Sequence, residues 1–546
     1  MTDSTIPDAT TPRPTLMQER LSRLSVETAS SSNRSLPADQ SPIVGRELLV
    51  LPLIVILCDF TIYRGHGYTG LGLLFSVAPV LLFLGIVGRR FDVSSCILLP
   101  LLMLTSLRLV WCGSVAAVVA GFVLLCGFAM SLSGLRPHVL QSIVFAAHLI
   151  PAGHRGLHLY SRSLSRFSPK IVQAHLVAVL LPVATLFVFG TIFILANPDL
   201  VRSFSSGLTH FVDAIQSWMS RFEALEVVFC IAILWLGVGL LRPDTKQVSM
   251  SNDAIYVSVE PATAPLYEAF RNTLVMVIGL FAVYLIFEFQ TLWFRVFPKG
   301  FHYSGYAHEG AAWLTVALGL ATLLLSVIFR GRMLDDPRLP KLRRLSWIWS
   351  LENLLLAVAV FNRLFIYVGF NGMTRMRVIG LLGAASVVFG FLLVLRKIAR
   401  NYDFTWLIRR QLWTVTFAAY LYAILPVDAF VNRYNVGRIL SGDSAPSVQI
   451  SVHPTTSEGL LQLRPLIHCD DPIIQQGIRA MLANKLIDAE SQAESRRQRG
   501  WSAYQMADDR LLSQLRSISP QLETSETKSR REELLKRFHE YAYQWF

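Results

Sequence analysis

Residues 114–131 read SVAAVVAGFVLLCGFAMS, running from Ser114 to Ser131 without a single charge. A helix needs about 20 mostly apolar residues to cross the hydrocarbon core of a bilayer, and this stretch reads as such a helix. The same pattern recurs along the chain at Leu48–Tyr63, Gly70–Val87, Cys96–Trp111, Ile171–Ala196, Ala224–Leu241, Thr273–Leu292, Ala311–Phe329, Trp347–Gly369, Val378–Leu395 and Leu412–Leu425. The expected fold is therefore all-α, a polytopic transmembrane helix bundle of about eleven spans. His138–Pro151 and Phe211–Met219 are apolar but too short to cross and read as interfacial or partly buried helices. Composition agrees. Of 546 residues 53% are hydrophobic and only 16% charged, with a mean hydropathy of +0.46, against about 45–50% apolar and about 25% charged in soluble domains.

The net charge of +13 invites a nucleic-acid partner, but its distribution speaks against one. From Val427 to the end the chain holds 15 Lys+Arg and 15 Asp+Glu, so the excess lies elsewhere, mostly in short loops between apolar runs. With a cytoplasmic N-terminus, the inner loops would carry 21 basic residues and the outer loops 7. Basic loops stay in the cytoplasm, so the charge orients the protein in a cell membrane, inner or plasma, with the C-terminus extracytoplasmic. The lipid bilayer is then its first partner.

Residues 1–46 are polar and rich in Ser, Thr and Pro. They cannot bury enough apolar surface to fold and read as a disordered cytoplasmic arm rather than a cleavable signal. The bundle would occupy 47–431, and a soluble helical extracytoplasmic domain 432–546. In that domain Asp470-Asp471-Pro472 is a helix-start signal. Ser529-Arg530-Arg531-Glu532 fits a capping box before an amphipathic terminal helix. The six cysteines form no C-x-x-C pair, and no phosphate-binding, dinucleotide, nucleophile-elbow or zinc-protease motif is present, so no cofactor or metal is expected. His154 and His158 have a metal-compatible spacing but no third ligand, and a basic interfacial loop explains them better.

Charges inside spans cost about 2.5–3.5 kcal/mol each at the helix centre and so call for an explanation. Asp59, Arg108, Glu288, Gln290, Asn362 and Arg363 fall toward the outer ends of their spans, whereas Glu352 lies nearer the inner side. The loops beside them are also polar. Tyr303, Tyr306, His308 and Glu309 follow Glu288 and Gln290; Arg375 and Arg377 follow Arg363 and Tyr367; Asp428, Asn432, Asn435 and Arg438 follow the last span. The ligand-binding candidates are accordingly Glu288, Gln290, Tyr303, Tyr306, His308, Glu309, Arg363, Tyr367, Arg375, Arg377 and Arg438, a set able to line a wet cavity and hold an anionic or zwitterionic group through Arg forks. The competing expectation is that these charges pair with one another and fix helix packing.

Three blocks in order carry a resemblance. They are Phe289-Gln290-Thr291-Leu292-Trp293-Phe294 with Tyr303-x-x-Tyr306-Ala307-His308-Glu309-Gly310, then Asn362–Tyr367 with Gly372–Arg377, then Asp428–Arg438. From about Asn272 to the end, the chain resembles a bacterial membrane family known as domain of unknown function 4173, whose sister is 4153. His308, Trp293 and Asn371 depart from that pattern, where Arg, Tyr and Tyr are expected. The resemblance implies architecture and no reaction, substrate or cofactor. The first functional expectation is a non-enzymatic envelope sensor, binding or structural protein with a polar outward-facing site, its C-terminal domain meeting an extracytoplasmic ligand or an envelope protein. The alternatives are a transporter or flippase, which needs a cavity at the midplane, and a transferase acting on a lipid or glycan carrier, which needs a carboxylate and a base facing one pocket.

Overall fold

Ser114 ends the preceding turn in an extended conformation, and its hydroxyl accepts from the Ala117 amide at 3.2 Å, which starts the helix Val115–Leu132 where the charge-free run begins. Asp92 does the same for Val93–Cys112, accepting from the Ser95 amide at 3.0 Å and also from the Ser131 hydroxyl at 2.7 Å. One carboxylate thus caps one helix and ties it to the next. The structure, a computed structural model, describes residues 43–86, 91–166, 185, 224–243, 266–290, 303–329, 333, 336–400, 402, 404–522 and 527–545, with backbone alone at 163–166, 224 and 303–311.

The described residues form α1 (Gly45–Cys58, continued by a π turn to Tyr63), α2 (Tyr68–Gly85), α3 (Val93–Cys112), α4 (Val115–Leu132), α5 (Val139–Arg166) and α6 (Ala224–Leu241). Then come α7 (Tyr267–Glu288), α8 (Tyr303–Ile328), α9 (Leu339–Asn371), α10 (Arg375–Arg400) and α11 (Phe404–Ile424). There are no strands among them, and the all-α expectation holds. The number of crossings does not. Six of these helices (α2, α3, α4, α7, α9 and α10) are long and apolar enough to cross a membrane, or seven if α11 and the helix after it count as one bent span. The expected eleven is not supported by the described residues. The α-helical part of the first segment is 14 residues long and continues as a π turn to Tyr63, and Leu225–Leu241 and Ala312–Ile328 are the portions of α6 and α8 whose side chains are described. Helix α11 carries Arg409 and Arg410 and bends by 67° into its successor. Ile171–Ala196, apart from Thr185, and Phe211–Met219, like most of the N-terminal arm, lie outside the described residues. His138–Pro151 proves to be part of a longer helix, α5, which runs through Pro151 to Arg166.

Two apolar cores pack side by side. Leu74, Phe75, Leu102, Leu109 and Phe128 centre the first, from α1 to α6. Leu318, Leu325, Trp349 and Phe391 centre the second, from α7 to α11. Helix α11 bridges them, with the Tyr420 hydroxyl donating to the Leu101 carbonyl at 2.9 Å. At one end, Glu47 is completely buried and accepts from Arg242 at 2.8 and 3.1 Å and from the Tyr160 hydroxyl at 2.8 Å, fastening α1 to α5 and α6. Large apolar side chains such as Met276, Leu280, Val283 and Ile286 on α7 remain exposed. Water would not tolerate so continuous an apolar surface, whereas lipid tails do; the chain is a membrane protein.

The opposite end carries the C-terminal helices: α12 (Val427–Leu440), α13 (Ser447–Val452), α14 (Ser457–Leu460), α15 (Pro472–Arg499), α16 (Met506–Ser517) and α17 (Lys528–Tyr543). Asp471 caps α15 as expected, accepting from the Ile473 and Ile474 amides at 2.9 and 3.1 Å. The terminal helix starts earlier than expected, with Thr527 and not Ser529 as its cap. Ile474, Ile478, Leu515 and Phe538 form the core of this unit. Phe538 lies directly over Gly477, where a side chain would meet its ring. Gly477→Val is expected to cost about 1–3 kcal/mol by overpacking, read as a lowered unfolding temperature; an unchanged temperature would mean that α17 does not pack as described.

Candidate functional site

The polar end of the bundle is built from helix termini, and its charges are mostly spoken for. Arg363 on α9 and Glu288 at the end of α7 are 2% and 1% exposed and form a two-point pair, Nε to Oε1 at 2.8 Å and Nη2 to Oε2 at 2.5 Å. The Tyr284 hydroxyl donates to the same Glu288 Oε2 at 2.8 Å and accepts from Arg363 Nη2 at 3.1 Å. Here the charges join α7 to α9. Arg375 forks onto Asp428, which also accepts from the Thr456 amide and hydroxyl at 2.8 and 2.7 Å. Arg438 donates to the Val368 and Gly369 carbonyls at 2.9 and 2.7 Å, closing the last turn of α9, and pairs with Asp443.

Between α9 and α10 the backbone turns at Gly372, whose φ of +98° favours glycine. The fully buried Asn435 side chain reads the adjoining Met373 backbone on both sides, accepting from its amide at 2.7 Å and donating to its carbonyl at 2.9 Å. Arg377 completes the turn by donating to the Gly372 carbonyl and to Asn371 Oδ1, and its guanidinium lies 3.7 Å from the centre of the Tyr367 ring.

Beside this turn lies a cavity of about 510 Å³ between α8, α9 and α10, roofed by the C-terminal unit. Tyr367, Asn371, Thr374 and Arg377 line its polar part together with Gln449 of α13 and His453 just after it. Ala312, Leu364, Gly380, Gly383 and Ala384 line its apolar part. Of the residues singled out from sequence, Tyr367 and Arg377 face this space. Glu288, Arg363, Arg375 and Arg438 are engaged in the pairs above, and Gln290 is exposed. Tyr303, Tyr306, His308 and Glu309 sit in the first turns of α8, a helix where a loop was expected, and their side chains lie outside the described residues.

Sequence reasoning passed over Gln449 and His453, which reach the cavity only because the tail folds back over the bundle. It also passed over Gly380 and Gly383, which leave the cavity wall open. His453 is exposed, yet it lines the cavity. Partial burial, and then the Arg377 and Arg375 guanidiniums, hold its imidazole below the ordinary 6.5. A base held low stays neutral in the folded chain while the unfolded chain takes up a proton. Its contribution to stability is therefore whole above pH 6.5 and is lost as the pH falls through the folded value. The unfolding temperature in detergent is expected to drop more steeply below pH 6.5 in the wild type than in His453→Gln; identical slopes would show that neither burial nor the two guanidiniums hold His453 low.

The tail is held over the bundle by its own contacts. Arg108 near the end of α3 forks onto Glu458 at 2.6 and 2.7 Å. The Ser502 hydroxyl accepts from the His66 amide at 3.0 Å, and Trp501 stacks on Phe60 with ring centres 4.8 Å apart. Gln505 accepts from the Gly113 amide at 2.5 Å and donates to the Leu109 carbonyl at 3.0 Å. The fragment Gly500–Tyr504 is therefore a docking loop onto α1 and α2.

No curated protein and no solved structure matches this chain. A family model does: Domain of unknown function (DUF4153), over residues 69–453. The match starts earlier than the resemblance read from the sequence blocks, taking in α2 to α6 as well as the cavity, and it corrects the expected family from 4173 to its sister. It ends at His453, the last of the residues lining the cavity. The chain belongs to the DUF4153 family.

Proposed function

We propose that the chain is a non-enzymatic binding protein of the envelope membrane, a sensor or structural component that holds a ligand where the C-terminal helices close one end of the bundle. The observation that carries this reading is the cavity lined jointly by spanning helices and by Gln449 and His453. Its size is that of ligand sites, which typically measure about 300–1,000 Å³. It lies at an end of the bundle, whereas a transporter's site belongs at the midplane. In this reading the N-terminus is cytoplasmic and the roof of the cavity faces outside.

The test is complementation of a strain lacking the gene. A Cβ at Gly383 would meet nothing within 4 Å, so Gly383→Leu places a bulky apolar side chain at the cavity wall. The variant is expected to reach the membrane at wild-type level and fail to restore the envelope phenotype. Full complementation would mean that the cavity is not the functional site.

A further inference from the structure

The nature of the ligand follows from the charge and shape of the cavity, on the premise that the cavity binds one. We propose that it takes an anionic amphiphile from the bilayer, with a phosphate or carboxylate head at Arg377 and an acyl chain lying between α8 and α10. Arg377 is only 5% exposed. Its partners among the described residues are a carbonyl, an amide oxygen and an aromatic face, all neutral. Among the described residues it makes no ion pair, whereas Arg108, Arg242, Arg363, Arg375 and Arg438 each hold a carboxylate. The further charge it feels is Arg438, another cation. Buried charges are paired or neutralised, so a guanidinium left without a counter-charge at a cavity wall calls for an anion. Asn371, Thr374, Gln449 and His453 surround the same spot with hydrogen-bonding groups.

The rest of the cavity suits a hydrocarbon chain. Gly380, Gly383, Ala312 and Ala384 leave its wall almost bare of side chains, and Leu364 supplies apolar contact. The two ends of the space open to different surroundings. Ala312 and Gly383 are exposed on the flank of the helices, where lipid tails lie, while His453 is exposed at the end of the bundle, where water lies. A head in the aqueous part and a tail in the bilayer satisfy both ends at once. A soluble oxyanion would fill only the polar part.

The test uses the full-length protein, stripped of lipid in detergent and examined by native mass spectrometry with one addition at a time: phosphatidylglycerol, phosphatidylcholine or inorganic phosphate. One tightly held phosphatidylglycerol is expected, preferred over phosphatidylcholine by about tenfold or more, the range for hydrogen bonds to a charged group. Inorganic phosphate in excess should not displace it. Gly383→Leu should abolish retention, and Arg377→Gln should remove the preference for the anionic head. Because Arg377 also holds the Gly372 turn, its variant could fail to fold, and Gly383→Leu then decides alone. Equal retention of the two lipids, or unchanged retention by Gly383→Leu, overturns the proposal. Displacement by inorganic phosphate overturns the amphiphile while leaving a binding cavity in place. Full complementation by Gly383→Leu in cells removes the binding role itself.

Discussion

Arg363→Ala should destabilise the protein by about 3–5 kcal/mol, the range found when one partner of a buried ion pair is removed. The cost comes from what remains: Glu288 is 1% exposed and accepts both Arg363 and Tyr284, so the truncation leaves a buried carboxylate without its guanidinium. The second half of the prediction separates packing from ligand binding. Replacing both partners, as Arg363→Leu with Glu288→Leu, should recover most of the loss, because buried pairs exchanged for apolar residues are often neutral. Unfolding in detergent, followed by a fluorescence or accessibility probe, reads both. If Arg363→Ala unfolds like the wild type, the pair does not join α7 to α9 as described.

Arg108→Ala is expected to act on the tail. Its guanidinium and the Glu458 carboxylate are 11% and 4% exposed at the side chain, and they meet from opposite units, α3 and α14. The loss should again be about 3–5 kcal/mol, borne by the docking of the C-terminal helices on the bundle. Limited trypsin digestion should show it, with cleavage C-terminal to residue 440 becoming much faster while the bundle stays intact. Arg108→Lys keeps the charge but not the fork and should fall between the two. Equal digestion of wild type and Arg108→Ala would mean that Phe60, His66 and Gln505 hold the tail without this pair.

Which parts of this were legible in the sequence follows the physics of each signal. The span Ser114–Ser131 was legible because an uncharged run of that length has few other fates, and the Asp471-Pro472 cap because its chemistry is local. The count of eleven was not, since hydropathy sees length and not geometry. It could not tell that α1 passes into a π turn at Asp59, that α5 continues through Pro151, or that α11 bends at its end. The polar end was legible as a place, because charges in spans are costly enough to stand out. How its members divide was not. Glu288 and Arg363 lie far apart in the chain and meet only through the packing of α7 against α9. Arg377 stands in the sequence beside Arg375, yet one is paired with Asp428 and the other with neutral oxygens. His453 and Gln449 carried no signal at all, because their role depends on a tail folding back over helices that precede it.

The binding cavity is most directly tested by an experimental structure of the full-length protein in lipid nanodiscs. The expected result is elongated non-protein density with its head at Arg377, between Tyr367 and His453, and its tail along Gly380 and Gly383. A space closed by protein side chains, or an acidic side chain seated on Arg377, would contradict it.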